Sequence, residues 1–195
     1  MSIGSFVSAS LDLYRADKHD VALSIACSAV DATAAKGSNE KSNKKKYRNF
    51  IRQSMHIITT FGFPGIEADG IRIKCTNVKD DYGRDLADDK DEQDYKDGLV
   101  GMESIIYHTL RCGLIHQCES DRRIEFTKDT YIGDFVDRFK IPSKIVVGLI
   151  MAVVLSPHNK DEKINNESNV VLWGKEYEVD SLWGKGINFI EKERL

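Results

Sequence analysis

The run IVVGLIMAVVL, from Ile145 to Leu155, constrains the fold more than any other part of the chain. These eleven residues carry no polar side chain, so as a helix the segment is apolar on every face and must be enclosed by other elements. It falls well short of the roughly 20 residues needed to span a bilayer, so a buried core helix is expected and no membrane association. The chain's 195 residues and 41% hydrophobic content can supply the enclosing elements as one domain with room for a small appendage.

Candidates for those elements follow in order. Residues 3 to 16 place Phe6, Val7, Leu11, Leu13 and Tyr14 near helical spacing. Asp20 is a candidate cap for a second helix, VALSIACSAVDATAA, which is small and apolar almost all round and suits a central position. A third helix is predicted from Asn43 to Phe61, with Tyr47, Phe50, Ile51, Met55 and Ile58 inward and Gly62 and Pro64 as its stop. Ile71, Ile73 and Cys75 alternate with Arg72 and Lys74, which predicts a short strand. The acidic stretch 80 to 97 reads as a solvated loop.

A long helix is predicted from Gly98 to Gln117, then a short strand near Arg123 to Phe126 and a helix near Tyr131 to Lys140. Pro142 is placed in the first turn of the apolar helix. The polar stretch PHNKDEKINNESN reads as a linker, VVLWGKEYEV as a hairpin around Gly174, and SLWGKGINFIEKERL as a closing amphipathic segment. The expected class is therefore mainly α, a helical bundle over 1–155 followed by a hairpin and helix extension over 156–195.

Charge and cysteines narrow the function. A net charge of −3 and a pI near 6.0 argue against coating nucleic acid through bulk positive charge, so any such contact is local. The basic run of Lys44, Lys45, Lys46, Arg48 and Arg52 offers one place for it, with Lys45, Arg48 and Arg52 as candidate phosphate contacts; the plain alternative is a solvated helix face. Cys27, Cys75, Cys112 and Cys118 lie singly, and the first residues lack the basic and apolar regions of a signal peptide, which predicts a cytoplasmic protein. Cys112, His116 and Cys118 have no second ligand pair nearby, so no metal and no cofactor is expected.

The 98 to 117 segment carries the candidate chemistry. At about 100° per residue, Leu99, Met102, Ile106, Leu110, Gly113 and Leu114 form a core-facing stripe. Ile105, His108, Cys112 and Ile115 form a second strip where a monomer's surface would carry charge, which predicts a second packing partner, a second subunit. Arg111 and His116 flank that strip, with directions that differ by roughly 140° in an unbroken helix, so two copies are needed to bring them together. His116 can exchange a proton with a ribose 2′-hydroxyl or a leaving oxygen, and Arg111 can hold the phosphate and its developing charge. Such a pair selects RNA, since DNA lacks the attacking hydroxyl.

YHTLRCGLIHQ resembles the Arg-x4-6-His motif of HEPN domains, and ALSIACSAVDATAAK resembles that family's small-residue second helix. KIVVGLIMAVVLSP is similar to the buried final helix of such bundles, so the resemblance covers roughly residues 3 to 155. It implies a dimerising helical bundle with metal-independent endoribonuclease activity in toxin, antiviral or RNA-processing roles, and Arg111 and His116 as its catalytic pair. RNA, a second copy of the chain and a cognate antitoxin or regulatory protein are the partners implied. Many members carry a polar residue such as Asn directly after the arginine, where this chain has Cys112, and other members act as non-catalytic binding or dimerisation modules.

Overall fold

The computed structural model describes residues 2–63, 72–74, 98–112, 124–128, 133–135, 138–164 and 168–193. The fold is mainly α-helical. Helix α1 (Ile3–Arg15) is capped by Ser2, whose Oγ accepts the Ser5 amide at 3.1 Å. Helix α2 (His19–Lys36) follows after a three-residue reversal in which Asp17 takes φ 57. Asp20 lies in the first turn of α2, where its charge favours the helix N-terminus, and Lys18 occupies the cap position predicted for it.

Between Asn43 and Gly62 the predicted single helix is two, α3 (Asn43–Gln53) and α4 (Met55–Gly62). They meet at the buried Ser54, whose amide still bonds Phe50 O at 3.0 Å, so the chain bends without losing the ladder. The predicted stop at Gly62 is where α4 ends. Strand β1 (Arg72–Lys74) pairs antiparallel with β2 (Leu99–Gly101), which places a strand where the start of the long helix was expected. The helix begins only at α5 (Met102–Ile105) and continues as a π-helical segment, Ile106–Cys112.

The helix predicted near residues 131 to 140 is replaced by strands. β3 (Ile124–Thr127), β4 (Gly133–Phe135) and β5 (Arg138–Pro142) form a mixed sheet in the order β3-β5-β4, with β3 parallel and β4 antiparallel to β5. Pro142 therefore ends a strand, pairing in register with Thr127, and the apolar helix α6 starts after it (Ile145–Leu155). The acidic stretch 80 to 97 lies outside the described residues.

The centre of the molecule follows from the apolar run. Every residue of α6 is buried except Val147, which is half-buried. Helices α2 and α4 lie against α6 on two sides, with α1 beside α2. Glycines permit the closest approach: a Cβ on Gly148 would stand 2.5 Å from the Ile58 carbonyl oxygen, and one on Gly62 would stand 3.2 Å from Ile145 Cα. Ile57, Ile58 and Phe61 of α4 and Ile145 and Leu149 of α6 are all buried, the kind of apolar burial that stabilises by about 25 cal/mol per Å².

The C-terminal segment is not set apart from this core. Ile164, Val170, Leu172, Leu182, Trp183, Phe189 and Ile190 belong to the same buried cluster as α6. The polar stretch predicted as a linker starts with a 3-10 turn, Pro157–Asn159. Its Asn159 is fully buried, donating from Nδ2 to Thr33 Oγ1 and to Val153 O, both at 2.9 Å. The Gly184 and Gly186 amides donate to the Val154 and Leu155 carbonyls at 2.9 and 2.8 Å, satisfying acceptors that the end of α6 leaves open. β6 (Asn169–Leu172) and β7 (Lys175–Glu178) form the predicted hairpin around Gly174, and α7 (Asn188–Glu193) closes the described chain.

Candidate functional site

Arg111 stands near the end of the π-helical segment, opposite the middle of α2 and the first half of α3. Its Nε donates to Asp31 Oδ2 at 3.0 Å, and its guanidinium carbon lies 5.5 Å from the centre of the Tyr107 ring. The pair is largely enclosed, with 13% of the Arg111 side chain and 28% of the Asp31 side chain exposed. A charge-assisted hydrogen bond in such surroundings fixes the plane of the guanidinium as well as its position.

The floor beneath this pair is aromatic. Tyr47 of α3 is fully buried and meets the Tyr107 ring edge-on at 5.5 Å, and Tyr107 in turn meets His108 at 5.0 Å. Burial pushes the Tyr47 hydroxyl well above its usual range, and Cys27 and Asp31 push it further in the same direction, against the opposing pull of Arg111. Tyr47 therefore stays a neutral phenol beside the ion pair. The cluster joins three elements: Cys27 and Asp31 from α2, Tyr47 from α3, and Tyr107, His108 and Arg111 from the π-helical segment.

A second charged group lies where α3 meets α5. Glu103 accepts from Arg52 at 2.9 Å, and Arg48 donates to Ser104 Oγ at 2.7 Å while standing 4.0 Å from Glu103. Burial raises the Glu103 pKa, but the Arg52 hydrogen bond, its own backbone amide and the charges of Arg52 and Arg72 outweigh this and hold it below the usual carboxylate range.

The candidates read from the sequence are thus distributed as follows. Arg48 is only 2% exposed, so it holds α3 to α5 instead of lying on a solvated face. Arg52 is exposed but paired with Glu103, and Lys45 is exposed. Ile105 is 1% and His108 6% exposed, both enclosed by the chain's own helices, so neither needs a second subunit to cover it. From Ile106 the π-helical turn is wider and advances by a smaller angle per residue than an α-helix, so positions assigned at about 100° per residue shift along it. Cys112 closes that segment; Ile115 and His116 lie outside the described residues.

Asp31, Tyr47 and Tyr107 are the site residues the sequence reading passed over. Asp31 had a signal, being the sole Asp, Glu, Lys or Arg between Asp20 and Lys36 on a helix otherwise built from small and apolar residues. A lone carboxylate on a central helix requires a partner, and Arg111 is that partner. Among the described residues no group of three or more His, Cys, Asp or Glu is arranged to hold a metal ion, and no helix is long and apolar enough to cross a membrane.

The chain matches the Rv1289 family over residues 2–192 and belongs to it. It is 24% identical over 198 residues to the uncharacterized protein Rv1289 of Mycobacterium tuberculosis, covering 98% of this chain and 87% of that protein. The uncharacterized protein Mb1320 of Mycobacterium bovis is similar to the same extent, 24% over 198 residues with the same shares of each chain. No solved structure matches the chain.

Proposed function

We propose that this member of the Rv1289 family is a metal-independent endoribonuclease in which Arg111 and His116 act on the RNA phosphodiester, at a site completed by a second copy of the chain. The observation that carries the reading is the Arg111–Asp31 pair, a guanidinium fixed at 3.0 Å within a π-helical segment over an aromatic floor. π-Helical turns are rare and concentrate at functional sites. A cation already oriented by its own carboxylate and ring loses little further freedom when it engages a phosphate, so it can favour charge that builds during the reaction. The resemblance of YHTLRCGLIHQ to the HEPN motif supports the same residues.

In this reading His116 takes the proton of a ribose 2′-hydroxyl as its oxygen attacks the adjacent phosphorus. The bond from phosphorus to the 5′-oxygen breaks, and that oxygen receives a proton from the second imidazole of the dimer. The products are a 2′,3′-cyclic phosphate and a free 5′-hydroxyl. Arg111 neutralises the extra charge on the phosphoryl oxygens. The biological setting that goes with the resemblance is a toxin or antiviral role in the cytoplasm, restrained by an antitoxin or another regulatory protein.

The test is RNA cleavage by parent, Arg111→Ala and His116→Ala proteins of equal thermal stability. Loss of a general acid or base costs about 10²-fold or more in rate, and that loss is expected for His116→Ala. Cleavage by either variant at the parent's rate rules the mechanism out. A second reading draws on the same ion pair: Arg111 is 13% exposed and charge-compensated, as befits a clamp between α2 and the π-helical segment in a non-catalytic binding module. A folded parent that cleaves no RNA yet binds it favours that reading.

A further inference from the structure

Away from the Arg111 cluster, a cleft of about 270 Å³ opens between the end of α4, the start of α6 and the β6–β7 hairpin. Phe61 and Trp173 make an aromatic corner, their ring centres 5.3 Å apart and inclined at 46°. Val147, Val171 and Leu172 extend the apolar wall, and Lys144, Thr60 and Tyr14 supply an ammonium and two hydroxyls. Among the described residues no carboxylate lines it.

Trp173 is held there at a cost. It occupies the first position of the two-residue hairpin loop with φ 51, followed by Gly174 at φ 79. Loops of this kind favour Asn, Asp or Gly at the first position, because a bulky side chain is strained at positive φ. The ring packs on Phe61 and Phe189, yet Trp173 remains 40% exposed and its neighbour Val171 71% exposed. A residue serving only as an anchor gains most when fully covered, whereas this one keeps ring surface toward the cleft. Strained residues of this kind collect at ligand clamps.

We infer that this cleft binds a small planar aromatic anion, a one- or two-ring aryl carboxylate, between Trp173, Phe61 and Lys144. At about 270 Å³ the cleft lies just under the range of about 300–1,000 Å³ usual for drug-sized ligands, which limits it to a small molecule of this kind. The ring of the ligand stacks in the aromatic corner, its carboxylate meets the Lys144 ammonium, and the Thr60 and Tyr14 hydroxyls donate to it.

The probe is 2-naphthoate, titrated calorimetrically into parent, Trp173→Asn and Lys144→Gln proteins, with neutral 2-naphthamide as the control. Asparagine tolerates the positive φ, so Trp173→Asn keeps the hairpin, which circular dichroism and thermal melting verify. The parent is expected to bind naphthoate in preference to naphthamide. Trp173→Asn should bind it about tenfold more weakly, in line with a lost stacking partner. Lys144→Gln should bind it about two- to fivefold more weakly and lose the preference for the anion. Failure of the parent to bind, undiminished binding by folded Trp173→Asn, or an anion preference retained by Lys144→Gln would each overturn the inference.

Discussion

Arg111 and Glu103 face the same problem, a charge inside the protein, and solve it in the same way, with an opposite charge from a neighbouring helix. Glu103 makes this measurable. Its pKa is lowered in the fold, so its contribution is present above the unfolded carboxylate range and disappears as pH falls through the folded value. Parent protein should therefore lose stability below about pH 4.5, near the ordinary glutamate range. Glu103→Gln, which leaves the buried Arg48 without its nearby charge, should be less stable at pH 7, with the gap narrowing toward pH 3. Urea melts across that range check this; a gap that stays constant with pH excludes the electrostatic account.

Among the elements, legibility in the sequence depended on whether local pattern or distant pairing decides the structure. Helix α1 and the Trp173–Gly174 hairpin were legible because capping, apolar spacing and turn glycine all lie within a few residues. β4 and β5 were not, since Phe135 and Phe139 stand four apart, as on a helix, while β5 is fixed by parallel pairing with β3 from Ile124↔Phe139 to Thr127↔Pro142. The π-helical segment has no sequence signature that hydrophobic spacing reveals, so an outward strip was read through Ile105 and His108, which the chain itself buries. Arg111 was legible as a candidate, but its partner Asp31 belongs to another helix 80 residues earlier. The α4–α6 crossing adds a prediction. Gly148→Ala places a methyl 2.5 Å from backbone at Ile58 O, so the helices must part, and a loss of about 1–3 kcal/mol in urea unfolding is expected. A loss below about 0.5 kcal/mol, the range of ordinary surface changes, contradicts the close crossing.

At the scale of the whole molecule, α6 joins the helical bundle to the C-terminal segment that the sequence suggested was a small appendage. α2 and α4 cover its sides, and the segment after Leu155 covers its end through Gly184 and Gly186. Truncation after Leu155 should therefore expose α6 and abolish cooperative thermal unfolding; a truncated protein that melts as sharply as the full chain would show the C-terminal segment to be dispensable. The same core holds α2 against the π-helical segment and so keeps Asp31 on Arg111, which links the stability of the bundle to the proposed chemistry. The most direct test of that chemistry is incubation of the folded full chain with mixed RNA in EDTA, followed by sequencing of the cut ends. Cleavage that leaves 2′,3′-cyclic phosphates and disappears in His116→Ala is the predicted result. Cleavage that stops in EDTA, or that persists unchanged in His116→Ala, contradicts it.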